Sequence, residues 1–283
     1  MSRSDCNERA LVLTAVGIES AIWSDGARFM LSVDIKDAST ALFHLHSYEA
    51  ERRASHAAVV PVRAVTIHHR AWVGSVMYVA VLCGIALATS TGLWPADAFD
   101  RGELNGAQVH AGQWWRAWTA LTLHRDAAHL IGNLAAGVWF GTLAARQLGA
   151  GSAWLLIVTG AAAANLFDAL LGPSTYRSVG ASTAVFTALG LMAAHSWRTR
   201  YDLPQRWALR WSPLIAGAVL LGWFGSTGEG TDLVAHALGF GVGCLLGAVG
   251  AGSALAHTRL SQSLAGLAAL ASLALAWTLA LSH

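Results

Sequence analysis

From Trp72 onward the chain is built of seven long, mostly apolar runs in which charge is nearly absent. The first, residues 72–93, carries no charged side chain, and about twenty such residues suffice to cross a hydrocarbon core of roughly 30 Å. Within lipid every backbone N–H and C=O has to be paired inside the segment, so runs of this kind fold as helices. Six more are expected at about residues 128–146, 152–171, 182–197, 213–227, 233–250 and 264–281. Composition points the same way. Of 283 residues 55% are hydrophobic and 12% charged, whereas soluble domains carry about 25% charged residues. These features predict an all-α polytopic membrane protein. A net charge of +2 is too small to indicate nucleic acid. Cys6, Cys83 and Cys244 are too scattered for a disulfide framework or a metal-ligand pattern, and nothing calls for a cofactor.

Arginines set the expected orientation. Arg52, Arg53, Arg63 and Arg70 precede the first run, and Arg146 closes the second. Arg198, Arg200, Arg206 and Arg210 follow the fourth, and His257 and Arg259 follow the sixth. Positive charge collects on the cytoplasmic side, so the N-terminus is expected in the cytoplasm and, with seven spans, His283 outside. Lys36 is the only lysine, an arginine bias that suits a GC-rich bacterial genome, and the expected location is a bacterial inner membrane. Asp5 and Glu8 near the start argue against a cleaved signal peptide. Residues 1–60 read as a small cytosolic α+β domain. It would comprise a helix over 7–16 closed by Gly17, a hairpin turning at Ser24-Asp25-Gly26-Ala27, and a helix from the cap Asp37 to Arg53. A linker with Pro61 occupies 61–71. The connection from Pro95 to His124 is long, holds Trp114-Trp115-Arg116-Ala117-Trp118, and has no obvious structure. All five prolines are expected at segment boundaries.

Polar groups inside a span are costly, so each needs a partner or a task. His129 and Asn133 sit one turn apart on the second run, on a face continued by Gly137 and Gly141. His236 on the sixth is followed by Gly239, Gly243 and Gly247, a small-residue ridge that admits a close helix. Ser182 opens the fourth run after Gly180-Ala181, where unpaired N–H groups and the helix dipole favour a developing oxyanion. Taken singly, each has a plain reading: Ser182 as N-cap, His236 as an interhelical hydrogen-bonder, Asn133 as helix glue. Zinc on His124, His129 and His236 lacks a cysteine or close histidine pair to sharpen it. Asp168 reads as interfacial, pairing or snorkelling, and His195 lies near the opposite end of its run. Together, Ser182 and His236 suit a serine nucleophile with a histidine base and no acid to make a triad.

Trp115-Arg116, His124, His129-x-x-x-Asn133, Gly180-Ala181-Ser182-Thr183 and Ala235-His236-x-x-Gly239-x-x-x-Gly243 occur in an order that resembles the rhomboid intramembrane serine proteases. The resemblance implies a core of six transmembrane helices over 72–250; the apolar run near the end of the chain extends it, so that 251–283 is expected to hold a linker and a seventh helix. It implies endoproteolysis of transmembrane protein substrates near the outer face of the bilayer, Ser182 being nucleophile and His236 base. His129 and Asn133 would line the oxyanion hole with the Ser182 N–H, and Phe186 would pack under His236 where many relatives carry tyrosine. Gly180, Gly239 and Gly243 support that site. At Ala144-Ala145-Arg146-Gln147-Leu148-Gly149 the chain departs from an acidic residue and basic pair common in relatives. A catalytically inactive relative that binds transmembrane clients is the alternative, and a transporter would show buried charges or paired broken helices.

Overall fold

The computed structural model describes residues 1–26, 28–57, 68, 70–199, 207–225, 232–250 and 258–283. Contacts divide the chain into two compact units, Met1–Ala64 and Val65–His283.

In the first unit, helix α1 (Arg3–Ala15) opens with a reciprocal cap. Ser2 Oγ accepts from the Asp5 N–H, and the Asp5 carboxylate accepts from the Ser2 N–H. Gly17 ends it at φ 77°. Strands β1 (Ser20–Ser24) and β2 (Phe29–Val33) pair antiparallel, Ser20 opposite Val33. Helix α2 (Ala38–Ala57) follows, and Leu13, Ile18 and Ala41 form the small buried centre. Asp37 is not the cap that its position suggests. Asp34 takes that role, accepting from the Lys36 N–H in a short 3-10 turn over Ile35–Asp37 that runs straight into α2. Pro61 and Arg63 of the expected linker lie outside the described residues, as do Pro204, Arg200, Arg206, Thr227, Glu229 and His257 of later connections.

The second unit begins with α3 (Trp72–Ser90), three residues shorter than the apolar run. The long connection is not structureless. It holds α4 (Ala98–Gly102), β3 (Leu104–Asn105), α5 (Gly106–His110) and α6 (Arg116–Thr119). Helices α7 (Ala127–Leu148) and α8 (Ala150–Leu171) come next, then strand β4 (Arg177–Ser178), which pairs antiparallel with β3. The remaining elements are α9 (Ser182–Thr199), α10 (Trp207–Gly225), α11 (Leu233–Gly250) and α12 (Arg259–Ser282).

Five of these helices, α3, α7, α8, α11 and α12, are long and apolar enough to cross a membrane. Among the described residues, α9 and α10, expected as the fourth and fifth spans, are not in that set. Residues from Thr183 to Leu191 are all buried, so α9 packs inside the bundle against α7, α8, α10 and α11 and need not present a lipid-compatible surface. Helix α10 starts six residues before the expected Pro213 boundary and carries that proline inside it. Proline cannot donate to the carbonyl four residues back. Here the Ser212 hydroxyl donates to the Leu209 carbonyl at 3.0 Å, so the freed acceptor stays paired.

Helices α9 and α11 lie in backbone contact. A Cβ built on Gly239 would stand 2.7 Å from the Thr183 carbonyl oxygen, and one on Gly243 would meet the Leu191 nitrogen at 2.9 Å. From the other side, a Cβ on Gly190 would meet the Cys244 nitrogen at 2.9 Å. The glycine face of α7 is filled differently. Gly137 faces the Tyr78 phenol and Gly141 the Trp154 indole, so aromatic rings from α3 and α8 occupy that groove. Helix α12 holds the long connection: Trp277 Nε1 donates to Thr122 Oγ1 at 3.0 Å, and Arg101 donates to the Leu281 carbonyl at 3.2 Å.

Candidate active site

Three helix ends and one connection build the site. The connection is organised by Arg116, a buried guanidinium whose Nη1 donates to the carbonyls of Asp100 and Glu103 at 2.7 and 2.8 Å, and whose Nε donates to Gln113 Oε1 at 2.7 Å. Such charge-assisted bonds hold an irregular segment in one shape. That segment then grips the turn before Ser182. The Gly180 N–H donates to the Ala120 carbonyl at 2.9 Å, and the Ala181 N–H donates to His124 Nε2 at 3.4 Å.

Gly180 has φ 133°, a conformation closed to residues with a Cβ. An added Cβ would also lie 2.7 Å from both Cε1 and Nε2 of His129. The turn therefore has two independent reasons for glycine, and it delivers Ser182, half-buried, to the first position of α9.

On α7, His129 faces that turn, with the His124 ring edge-on at 5.0 Å. The start of α7 is set by Asp126, whose carboxylate accepts from the His129 N–H at 2.8 Å. Sequence reading missed this residue. An aspartate at the head of an apolar run is the N-cap signal that would have found it. Asn133, one turn further, is 7% exposed. Its carbonyl oxygen accepts from the Tyr78 hydroxyl at 2.8 Å, while its side-chain Nδ2 meets no acceptor among the described residues. That nitrogen lies 3.6 Å from where a Gly180 Cβ would be, so an unpaired donor stands against the turn carrying Ser182.

His236 sits in the first turn of α11, 6% exposed. Asp232 caps this helix: its Oδ1 accepts from the Ala235 N–H at 3.0 Å and its carbonyl from the His236 N–H at 3.1 Å. Phe186, one turn into α9, stacks against the histidine with centroids 4.5 Å apart and planes 37° apart. With Gly239 against Thr183, Ser182 and His236 lie on matching first turns of two touching helices. The structure thus gathers Gly180, Ser182, Phe186, His129, Asn133, His236 and Gly239 at one end of the bundle, with Gly243 one turn below.

A second feature beside α11 was not foreseen. Asp168, expected at an interface, is buried, and its Oδ2 accepts from the Tyr176 hydroxyl at 2.5 Å. The same hydroxyl also contacts the Asp232 carboxylate. Asp168 through Tyr176 thereby buttresses the residue that caps the histidine helix. His195 is far from this end, bonded through Nδ1 to Gln147 Oε1 at 3.0 Å.

His124 lies in the connection, ahead of α7. Burial, and secondarily the neighbouring His129, depress its pKa from 6.5 to about 4. A neutral imidazole is what accepting the Ala181 N–H requires. Since the folded value lies below the unfolded one, this group's contribution is full above pH 6.5 and is lost as pH falls toward 4. Thermal unfolding across pH 4–7 in detergent should show the midpoint falling on acidification, and His124→Gln should flatten the profile. An unchanged slope in the variant would assign the acid sensitivity elsewhere.

A family model of the rhomboid domain matches residues 111–253, half of the chain. The chain is a member of the rhomboid family. Rhomboid protease GluP of Bacillus subtilis (strain 168) is 32% identical to it over 91 residues, which cover 32% of this chain and 18% of that protein. The match therefore spans less than a fifth of the curated relative's length. As a rhomboid with several apolar helices this chain is an integral membrane protein, and the matched residues run from the Trp114–Trp118 segment through the whole of α11.

Proposed function

We propose that this rhomboid is an intramembrane serine endopeptidase that cleaves transmembrane proteins near the outer face of a bacterial inner membrane. In this reading α3, α7, α8, α9, α10 and α11 form the six-helix core, α12 is a seventh span, and the N-terminal α+β unit is cytosolic. Ser182 is the nucleophile and His236 the base that takes its proton and passes it to the leaving amine. The observation that carries the reading is the unpaired Asn133 Nδ2. A buried amide donor without an acceptor is costly, and this one stands beside the turn that presents Ser182. Such a donor is useful where an oxyanion forms on the attacked carbonyl, alongside the His129 ring and the Ser182 N–H. The Phe186 contact and the shared first turns of α9 and α11 support His236 as the base.

Labelling of the purified protein by a serine-reactive fluorophosphonate tests the activated serine. Wild type should be labelled, and Ser182→Ala should not. Failure of the folded wild type to label would favour the inactive, client-binding alternative. The donor role has its own test. Asn133→Ala should lower turnover on a model transmembrane substrate by about 10²–10³ with little change in substrate affinity, and His129→Ala should do at least as much. A change confined to affinity would leave Asn133 a structural residue.

A further inference from the structure

Behind the candidate active site, α3, α8 and α12 enclose a cleft of about 740 Å³ that the chemistry above does not use. Its long walls are apolar, with Met77 and Val81 from α3 and Leu270 and Leu273 from α12. At one end stand Arg70 and Arg259, both exposed, just before α3 and at the first position of α12. Among the described residues neither guanidinium has a carboxylate partner, and no acidic side chain lines the cleft. Helices α3 and α8 also begin at this end without a side-chain cap, adding their dipoles to the positive field. At the other end the cleft reaches Ala181 and Ala184, behind the turn that carries Ser182.

We propose that this cleft binds one anionic membrane phospholipid, its phosphate between Arg70 and Arg259 and an acyl chain along the apolar walls. A volume of about 740 Å³ falls in the range of about 300–1,000 Å³ typical of ligand sites, and the length of the cleft suits an acyl chain. Along α12, Arg259 to Leu273 is about 21 Å at 1.5 Å per residue, enough for the hydrocarbon of one leaflet, about 15 Å. Charge decides the headgroup. Two arginines at the rim of an apolar cleft between spans suit an anionic phosphodiester and offer nothing to hold a zwitterion's ammonium. The floor is fixed, since Gln262 of α12 bonds the Ser152 N–H at 3.0 Å and Ser152 Oγ at 2.9 Å.

The test is retention of defined lipids by the purified full chain in native mass spectrometry, a readout independent of proteolysis. Phosphatidylglycerol should bind about tenfold or more tightly than phosphatidylcholine of the same chains. Arg70→Gln with Arg259→Gln should abolish that preference while the unfolding midpoint without lipid stays put. Leu270→Trp, which fills the cleft, should reduce retention of both lipids. A photo-crosslinking side chain at position 81 in liposomes should capture lipid. Equal binding of the two lipids, a preference that survives the double variant, capture of a substrate or second copy at position 81, or equal protection by inorganic phosphate alone would each overturn the proposal.

Discussion

Ser182→Ala and His236→Ala should each reduce cleavage of a model transmembrane substrate to background, a loss of about 10⁴–10⁶ in turnover, and the double variant should be no slower than either single. The expectation follows from a unit in which the serine hydroxyl is a weak nucleophile until a neighbouring base accepts its proton. Ser182 opens α9 while His236 occupies the first turn of α11, two helices in backbone contact, with Phe186 stacked on the imidazole at 4.5 Å. Neither variant changes a glycine at that contact, so both should fold, and the unfolding midpoint checks this. Initial rates in liposomes decide the matter. Near-normal turnover by folded His236→Ala would remove the histidine from the mechanism, and additive losses in the double variant would show that the two do not act together.

The parts of this picture that were legible in the sequence are those that repeat along it. Apolar runs mark the helices because lipid and core both demand them, and the glycines of α11 recur at a spacing that leaves one face bare. Ser182, His129, Asn133 and His236 stand out because polar groups in apolar runs are few, and Gly180 because it leads directly into Ser182. What could not be read depends on partners distant in sequence. Arg116 belongs to the quoted Trp115-Arg116 motif, but its task shows only once the carbonyls of Asp100 and Glu103 are seen to converge on it. Asp168 reads as interfacial because Tyr176, which donates to it, and Asp232, which shares that hydroxyl, lie 8 and 64 residues on. Asp37 reads as the cap, and only the short 3-10 turn that opens at Asp34 moves that role to the earlier residue. Pro213 is a break by its chemistry, yet Ser212 supplies the missing donor and the helix continues.

Exchanging two glycines of α11 for alanine should have opposite effects. At Gly243 the new methyl would be driven into the Thr187 carbonyl and stand 2.9 Å from the Leu191 nitrogen. Both neighbours are helix backbone, which cannot rotate aside as a side chain can. The helices must part, the interface loses the packing that holds small-residue contacts together in lipid, and overpacking of this kind costs about 1–3 kcal/mol or more. At Gly241, two residues away, an added Cβ meets nothing within 4 Å, so alanine contributes only its higher helix propensity, about 1 kcal/mol. Gly243→Ala should therefore unfold at a clearly lower temperature than wild type, whereas Gly241→Ala should equal or exceed it. Activity should follow the geometry. Parting α9 from α11 moves Ser182 away from His236, so Gly243→Ala should lose turnover even well below its unfolding midpoint, and Gly241→Ala should not. Unfolding midpoints and low-temperature initial rates for the two variants measure this together. If both alanines behave alike, close backbone contact between α9 and α11 is not what aligns the serine and the histidine.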